Sequence, residues 1–129
     1  MDPLINLCVS AVLSCSPVGG VPIEDLVSEF NEICSATTLD CENTKVFYAE
    51  LPSYIAGQAV EYSSGRTAIM LNRKANKSYT SILVHEVAHL VIYAQETKNS
   101  KKRSHSGKFQ KECNKLRRAF NQNLATCNR

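Results

Sequence analysis

Residues 82–94 read Ile-Leu-Val-His-Glu-Val-Ala-His-Leu-Val-Ile-Tyr-Ala, a run that is apolar or aromatic apart from His85, Glu86 and His89. A helix that is apolar all round is buried. Burying two imidazoles and a carboxylate is costly unless they coordinate an ion or form hydrogen bonds. One metal ion satisfies all three groups together, whereas backbone carbonyls and a salt bridge would have to satisfy each separately. The run therefore predicts a buried helix with a metal site.

His85 and His89 are four residues apart, so on a helix they lie on the same face and can point at one ion. Glu86 lies one step round and reaches a water on that ion. Zinc in catalytic sites takes three protein ligands and leaves a position to water, whose pKa falls to about 7. Glu86 can accept the water's proton and pass it to a leaving amine. The spacing favours zinc-dependent hydrolysis with Glu86 as the general base.

The third histidine of the chain, His105, is the candidate for the remaining ligand. It lies one turn before Phe109, in a stripe of helical spacing that continues through Cys113, Leu116 and Phe120. Residues 97–104 contain no apolar side chain and predict an exposed loop that lets the chain reverse. Two antiparallel helices would bring His105 to the metal; a solvent-exposed histidine at a helix start is the alternative.

The rest of the chain predicts helices followed by a small sheet. Leu4–Cys15 is a plausible short helix, and Pro22 suits the first position of a second helix whose apolar stripe ends at Cys34. We predict strands at residues 45–49, 54–62 and 66–71, the last two joined as a hairpin through Ser63-Ser64-Gly65. Ser78 can cap the histidine helix. No domain boundary is visible, so residues 1–129 are predicted to be a single domain.

Four segments between Gly57 and Phe109 occur in the order and spacing of a known family. They are Gly57-Gln58-Ala59-Val60, Thr67-Ala68-Ile69-Met70-Leu71-Asn72, residues 81–89 with the two histidines, and His105-Ser106-Gly107-Lys108-Phe109. This stretch resembles the SprT-like zinc metalloproteases of the SprT/Spartan type. The glycine after the third histidine is displaced by Ser106, and the chain has no Cys-x-x-Cys of the zinc ribbon that many members carry.

The resemblance implies an α+β, zincin-like (gluzincin-type) core with N-terminal helices, a three-stranded sheet, a metal helix and a closing C-terminal helix. It implies one Zn²⁺ per chain, held by His85, His89 and His105, with Glu86 as catalytic base. The implied activity is an endopeptidase that acts on DNA-bound or DNA-crosslinked proteins. An extended substrate would add to a strand edge beside the cleft, either residues 66–71 or the strand before it.

Two alternatives stay open. An HExxH peptidase that cleaves one partner protein, such as a repressor, commonly uses an acid as third ligand, and Glu112 is the candidate. A non-enzymatic nucleic-acid-binding module would use zinc only for structure and would need a fourth ligand, for which Cys113 is the nearest candidate. Tyr62, Tyr79 and Tyr93 are candidates for oxyanion stabilisation, although packing roles are favoured for each.

Charge is distributed unevenly along the chain. Residues 98–129 contain ten basic residues and one acid, whereas residues 1–97 contain five basic and eleven acidic residues. The basic segment predicts a DNA contact beside the site, and a solvated helix face explains the same charges equally well. No apolar run reaches 18 residues, and residues 1–15 contain no Lys or Arg. We expect an intracellular, non-secreted monomer (cytoplasm or nucleus) without a membrane partner.

The six cysteines do not by their spacing require disulfides. Cys34 and Cys113 fall on apolar helix stripes, where buried thiols are common. An intracellular zinc enzyme needs no disulfide, so reduced thiols are expected. A Cys34–Cys41 bridge or a bridge to the terminal Cys127 stays open, because Cys41 and Cys127 lie outside periodic segments.

Overall fold

The computed structural model of this 129-residue chain describes residues 21–75, 77–95 and 107–128. This part has α-helices at Ile23–Ser35 (α1), Tyr79–Gln95 (α2) and Gly107–Ala119 (α3), and strands at Thr44–Ala49 (β1), Gly57–Glu61 (β2) and Thr67–Asn72 (β3). Short 3₁₀ turns lie at Cys41–Asn43 and Leu124–Cys127. The architecture is α+β, as predicted. The predicted Leu4–Cys15 helix, His105 and the 97–104 loop lie outside the described residues.

The three strands form one sheet in the order β1-β3-β2, with β3 parallel to β1 and antiparallel to β2. The predicted hairpin between β2 and β3 is confirmed: the Tyr62 N–H donates to the Arg66 carbonyl at 2.8 Å. Gly65 closes this turn with a φ of 90°, a left-handed conformation that favours glycine. The predicted strand at 54–62 began too early, because residues before Gly57 form a loop.

Helix α2 is the centre of the core. Every residue from Ile82 to Ile92 is buried, including the three polar ones, which confirms the burial predicted from its composition. The helix packs against α1, α3 and one face of the sheet. The Ser78 hydroxyl accepts a hydrogen bond from the Ser81 N–H at 3.4 Å, as expected of a cap. Pro22 precedes α1 as its N-cap and is not its first helical residue, which corrects that prediction.

Gly57 lets β2 approach α2 closely. A Cβ atom at this position would lie 2.6 Å from Ile82 Cγ2 and 3.3 Å from Glu86 Cγ. Any side chain here would force the strand and the helix apart. The glycine therefore sets the distance between the edge of the sheet and the helix that carries Glu86.

Two disulfides correct the expectation of reduced thiols. Cys34 is bonded to Cys41 and Cys113 to Cys127, with Cα–Cα distances of 5.9 and 5.8 Å. Helical spacing correctly placed Cys34 and Cys113 in the core. Their partners Cys41 and Cys127 belong to 3₁₀ turns, which are too short to show a periodic pattern. The pairing could therefore not be predicted from the spacing of apolar residues. Within the described residues, no helix is long and apolar enough to cross a membrane.

Candidate metal centre

His85 and His89 converge on one point beside α2. Their Nε2 atoms are 3.2 Å apart, and both rings are buried. Such a gap is bridged either by one N–H···N hydrogen bond or by a shared ion. Two nitrogens that each lie about 2.0–2.1 Å from a tetrahedral zinc ion are separated by about 3.3–3.4 Å. The pair therefore fits two ligands of one zinc ion with almost no movement.

A backbone carbonyl orients the His85 ring. His85 Nδ1 lies 2.8 Å from the carbonyl oxygen of Thr126, which can only accept a hydrogen bond. The proton therefore sits on Nδ1, and the lone pair of Nε2 points toward His89. Metal-binding histidines are usually fixed by such a hydrogen bond from the other ring nitrogen. Thr126 had not been predicted as part of the site, because a backbone acceptor leaves no mark on the sequence.

Phe109 contacts both histidines. Its ring stacks on His89 with a centroid distance of 4.2 Å and meets His85 edge-on at 5.0 Å. Phe109 is buried at the beginning of α3, so the predicted inward direction of its stripe is confirmed. This packing fixes the start of α3 against the histidine pair.

Glu86 lies in the same cleft as the histidines. The cleft has a volume of about 350 Å³ and is lined by residues 54–59 together with His85, Glu86, His89 and Tyr93. The ring centroids of Tyr93 and His89 are 5.9 Å apart, with the rings tilted relative to each other. Tyr62 and Tyr79 do not line this cleft. Tyr93 thus stays a candidate for contact with a reacting group. The exposed Tyr54, which the sequence did not single out, joins it at the rim.

The edge of β2 runs along this cleft. The Ala56 carbonyl accepts from the Asn72 N–H at 2.9 Å, and the Tyr62 N–H donates to the Arg66 carbonyl, so the even-numbered residues of this segment bond to β3. Gly57, Ala59 and Glu61 therefore direct their backbone N–H and C=O groups to the opposite edge. Among the described residues no strand pairs there. The edge is β2, the second of the two strands offered by the prediction.

Asn72 holds the loop that forms one wall of the cleft. Its side-chain amide donates to the carbonyl oxygens of Leu51, Pro52 and Ile55 at 2.9–3.1 Å, and its Oδ1 accepts from the Lys74 N–H. The side chain is only 2% exposed. A buried asparagine at the end of an apolar strand was the one available signal, and its role was not predicted.

The predicted site residues are brought together in part. His85, Glu86 and His89 share the cleft, whereas His105 lies outside the described residues. Within the described ranges no group of three His, Cys, Asp or Glu side chains is placed to hold a metal. Glu112 forms an ion pair with Lys115 at 3.6 Å and lines a different groove, and Cys113 is in a disulfide. The third ligand suggested for a repressor-cleaving peptidase and the fourth ligand suggested for a structural site are thus not at the centre.

The groove that contains Glu112 carries four of the five basic residues of α3. Its lining includes Lys108, Lys111, Lys115 and Arg118, which recur every three or four residues along one side of the helix. The same groove reaches Ile92 and Gln95 on α2. Within the described residues, these four cations therefore form a stripe along the helix that also carries Phe109.

A sequence model of the SprT-like family matches residues 23–128. The match spans all three described helices, the sheet and the turn that carries Thr126. A search among curated proteins found no match.

Proposed function

This chain belongs to the SprT-like family, and from that premise we propose that it is a zinc-dependent endopeptidase with a zincin-like core. One observation carries the proposal. Two buried imidazoles face each other at 3.2 Å, with Glu86 beside them in a cleft bordered by a strand edge. The arrangement supplies metal ligands, a base and a place for an extended peptide.

We assign one Zn²⁺ per chain to His85, His89 and His105. The described pair supplies two nitrogens at a spacing that suits zinc. His105 precedes Phe109 by four residues, which span at most about 14 Å, and Phe109 packs on both histidine rings. Chain connectivity therefore keeps His105 within reach of the pair, and this supports it as the third ligand.

Bound zinc would polarise the scissile carbonyl and lower the pKa of an attacking water. Glu86 follows His85 by one residue on α2, so its carboxylate projects beside the imidazoles and not along them. In this position it accepts the proton of the attacking water and returns it to the leaving amine. Gly57 contributes indirectly, because its missing side chain leaves room for Glu86 against β2.

The β2 edge explains how a peptide would be held. An extended segment that pairs with Gly57, Ala59 and Glu61 gains main-chain hydrogen bonds regardless of its side chains. The bonded segment would run beside Glu86 and the histidines, because Gly57 and Ala59 also line the cleft. We therefore expect an endopeptidase with broad sequence tolerance.

For the substrate class we propose proteins bound to or crosslinked with DNA. The cationic stripe of α3, with the charged residues 98–103 before it, supports attraction of a phosphate backbone toward the site. The two disulfides bear on the setting of this activity, because disulfides persist in oxidising compartments and are rare in the cytosol and nucleus. Thiol titration of the protein from its native source decides between an oxidised form and the intracellular, reduced form expected from the sequence.

The decisive experiment compares wild type with Glu86→Gln. Each protein is incubated with zinc and a DNA-binding protein, with and without single-stranded DNA, and fragments are identified by mass spectrometry. We expect the rate to fall by about 10²–10⁴-fold in the variant, with zinc content and fold unchanged. Cleavage near the wild-type rate would show that another group is the base or that a contaminating protease is present.

A further inference from the structure

We propose that the turn Leu124–Cys127, locked by the Cys113–Cys127 disulfide, is the positioning element of the zinc site, so that zinc affinity depends on this disulfide. The proposal rests on the function proposed above, since it concerns the same histidine pair. It adds a property to that site: the affinity for zinc depends on whether the Cys113–Cys127 disulfide is formed, although neither cysteine is a proposed ligand.

The link between the turn and the site is one hydrogen bond. The Thr126 carbonyl accepts from His85 Nδ1 at 2.8 Å, and Thr126 is buried. This bond sets both the tautomer and the direction of the ring. A shift of the turn by an ångström would turn Nε2 away from its 3.2 Å approach to His89. Zinc tolerates little such error, because its bonds to histidine have a narrow range of lengths.

Three interactions hold the turn against the helices that carry the site. The disulfide joins Cys127 to Cys113 on α3, and the Gln110 side chain on the same helix donates to the Cys127 carbonyl at 2.7 Å. The hydroxyl of Thr126 lies 2.7 Å from the hydroxyl of Ser81 on α2. Of these three, the disulfide alone is covalent. Without it the turn would be held by packing, by the bond to His85 and by these two hydrogen bonds, each of modest net strength.

The second disulfide provides a matched control. Cys34 and Cys41 connect the end of α1 with the turn before β1, and neither residue lines the histidine cleft. The two bridges have sequence separations of 7 and 14, so their effects on the entropy of the unfolded chain are similar. Opening either bridge loosens the protein, but only the opening of Cys113–Cys127 disturbs the partner of His85.

The test compares wild type, C113S/C127S and C34S/C41S. Zinc dissociation constants are measured by competition with a chromophoric chelator, and the His85 tautomer is followed by ¹H–¹⁵N correlation of the imidazole nitrogens in zinc-free protein. We expect C113S/C127S to bind zinc at least about tenfold more weakly, which is the loss typical when the hydrogen-bond partner of a metal ligand is removed. We also expect His85 to lose its single Nδ1–H tautomer. C34S/C41S should stay within twofold of wild type and keep the tautomer.

Two milder variants test the proposal if C113S/C127S does not fold. Thr126→Val removes the hydroxyl that meets Ser81 but keeps the disulfide, and we expect a loss of zinc affinity of about threefold or more. Thr126→Ser keeps the hydroxyl and should bind zinc like wild type. Wild-type affinity in C113S/C127S would overturn the proposal, as would wild-type affinity in Thr126→Val if C113S/C127S does not fold. So would an equal loss in C113S/C127S and C34S/C41S, because general destabilisation would then explain it.

The outcomes also separate this proposal from the proposed function. If wild type binds no zinc, the enzymatic proposal fails, and the tautomer measurement on zinc-free protein still decides whether the turn orients His85. A tautomer that is the same with and without the Cys113–Cys127 bridge would overturn the positioning role by itself. If wild type binds zinc and the variants bind it equally well, the enzyme proposal stands and only the positioning role is wrong.

Discussion

Helix α2 and the turn Leu124–Cys127 meet at His85, where the helix supplies the imidazole and the turn supplies the carbonyl that orients it. The helix is specified by its own residues, because almost every side chain between 82 and 94 is apolar. The turn is specified by a disulfide and by hydrogen bonds to residues far away in the chain. The candidate metal ligands on α2 are thus encoded locally in this protein, whereas the groups that orient them depend on tertiary contacts.

The largest effect is expected on the coordinating side. Replacing His105 by alanine should weaken zinc binding roughly a hundredfold or more and lower the thermal stability of the zinc-loaded protein, because metal binding and folding are coupled in small domains. Chelator competition and elemental analysis measure the affinity and the stoichiometry. Ser106→Ala is the neighbouring control and should leave both unchanged. Full zinc content and native affinity in His105→Ala would show that the two described histidines bind without it.

On the orienting side, Asn72→Ala should cost about 1–3 kcal/mol of unfolding free energy, because the buried Asn72 amide is the donor to three loop carbonyl oxygens. The loop that carries Tyr54 and Ile55 would loosen with it, so KM for peptides should rise. Urea denaturation measures the free energy. Asn43→Ala removes one exposed side-chain bond, to the Gly65 carbonyl, and should cost much less. An equal loss of unfolding free energy in the two variants would show that Asn72 does not hold the loop of the cleft in place.

A substitution at Gly57 tests the contact between β2 and α2. Gly57→Ala should cost about 1–2 kcal/mol through overpacking against Ile82, and it should lower the cleavage rate because Glu86 must move. Gly107→Ala is the control, since a Cβ there meets no atom within 4 Å. Chemical denaturation and the rate of peptide cleavage give the two readouts. An unchanged rate of peptide cleavage despite lower stability would mean that β2 moves to make room for the new methyl group while Glu86 keeps its position.

The smallest effect on stability is expected from the charges of α3. Reversing Lys108 and Lys111 to glutamate should leave the unfolding free energy nearly unchanged. It should weaken binding to single-stranded DNA and reduce the slope of log affinity against log salt by about 0.7 for each phosphate that the protein no longer neutralises. Reversal of Lys101, Lys102 and Arg103 should act in the same direction. Wild-type DNA affinity in both variants would mean that the cations only solvate the helix.

The parts predicted correctly share a physical origin. The burial of α2, the inward direction of Phe109 and the hairpin at Gly65 each follow from local periodicity or turn chemistry. The resemblance of residues 57–109 to the SprT-like family agrees with the family match over residues 23–128. Local signals were sufficient here because the two candidate ligands His85 and His89 lie on one buried helix.

The parts that were missed or wrong depend on atoms that carry no periodic signal. The Thr126 carbonyl is a backbone group, and the role of Asn72 depends on where a loop returns. Reduced thiols were expected, and the two bridges were only left open, because Cys41 and Cys127 lie in short turns, although their partners were correctly assigned to the core. Most of these interactions join residues that lie more than ten positions apart in the chain, and they become visible only when the chain has folded.

The exposed edge of β2 has a cost as well as a use. A strand that offers its N–H and C=O groups to a peptide offers them equally to the same strand of another molecule, which is how sheets begin to aggregate. Here the edge is only five residues long, begins at a glycine and ends at the charged Glu61. A short strand with a charge at one end gives a second copy few bonds and a repulsive neighbour. If β2 holds a substrate as proposed, its length is therefore a compromise between that contact and resistance to self-association at high concentration.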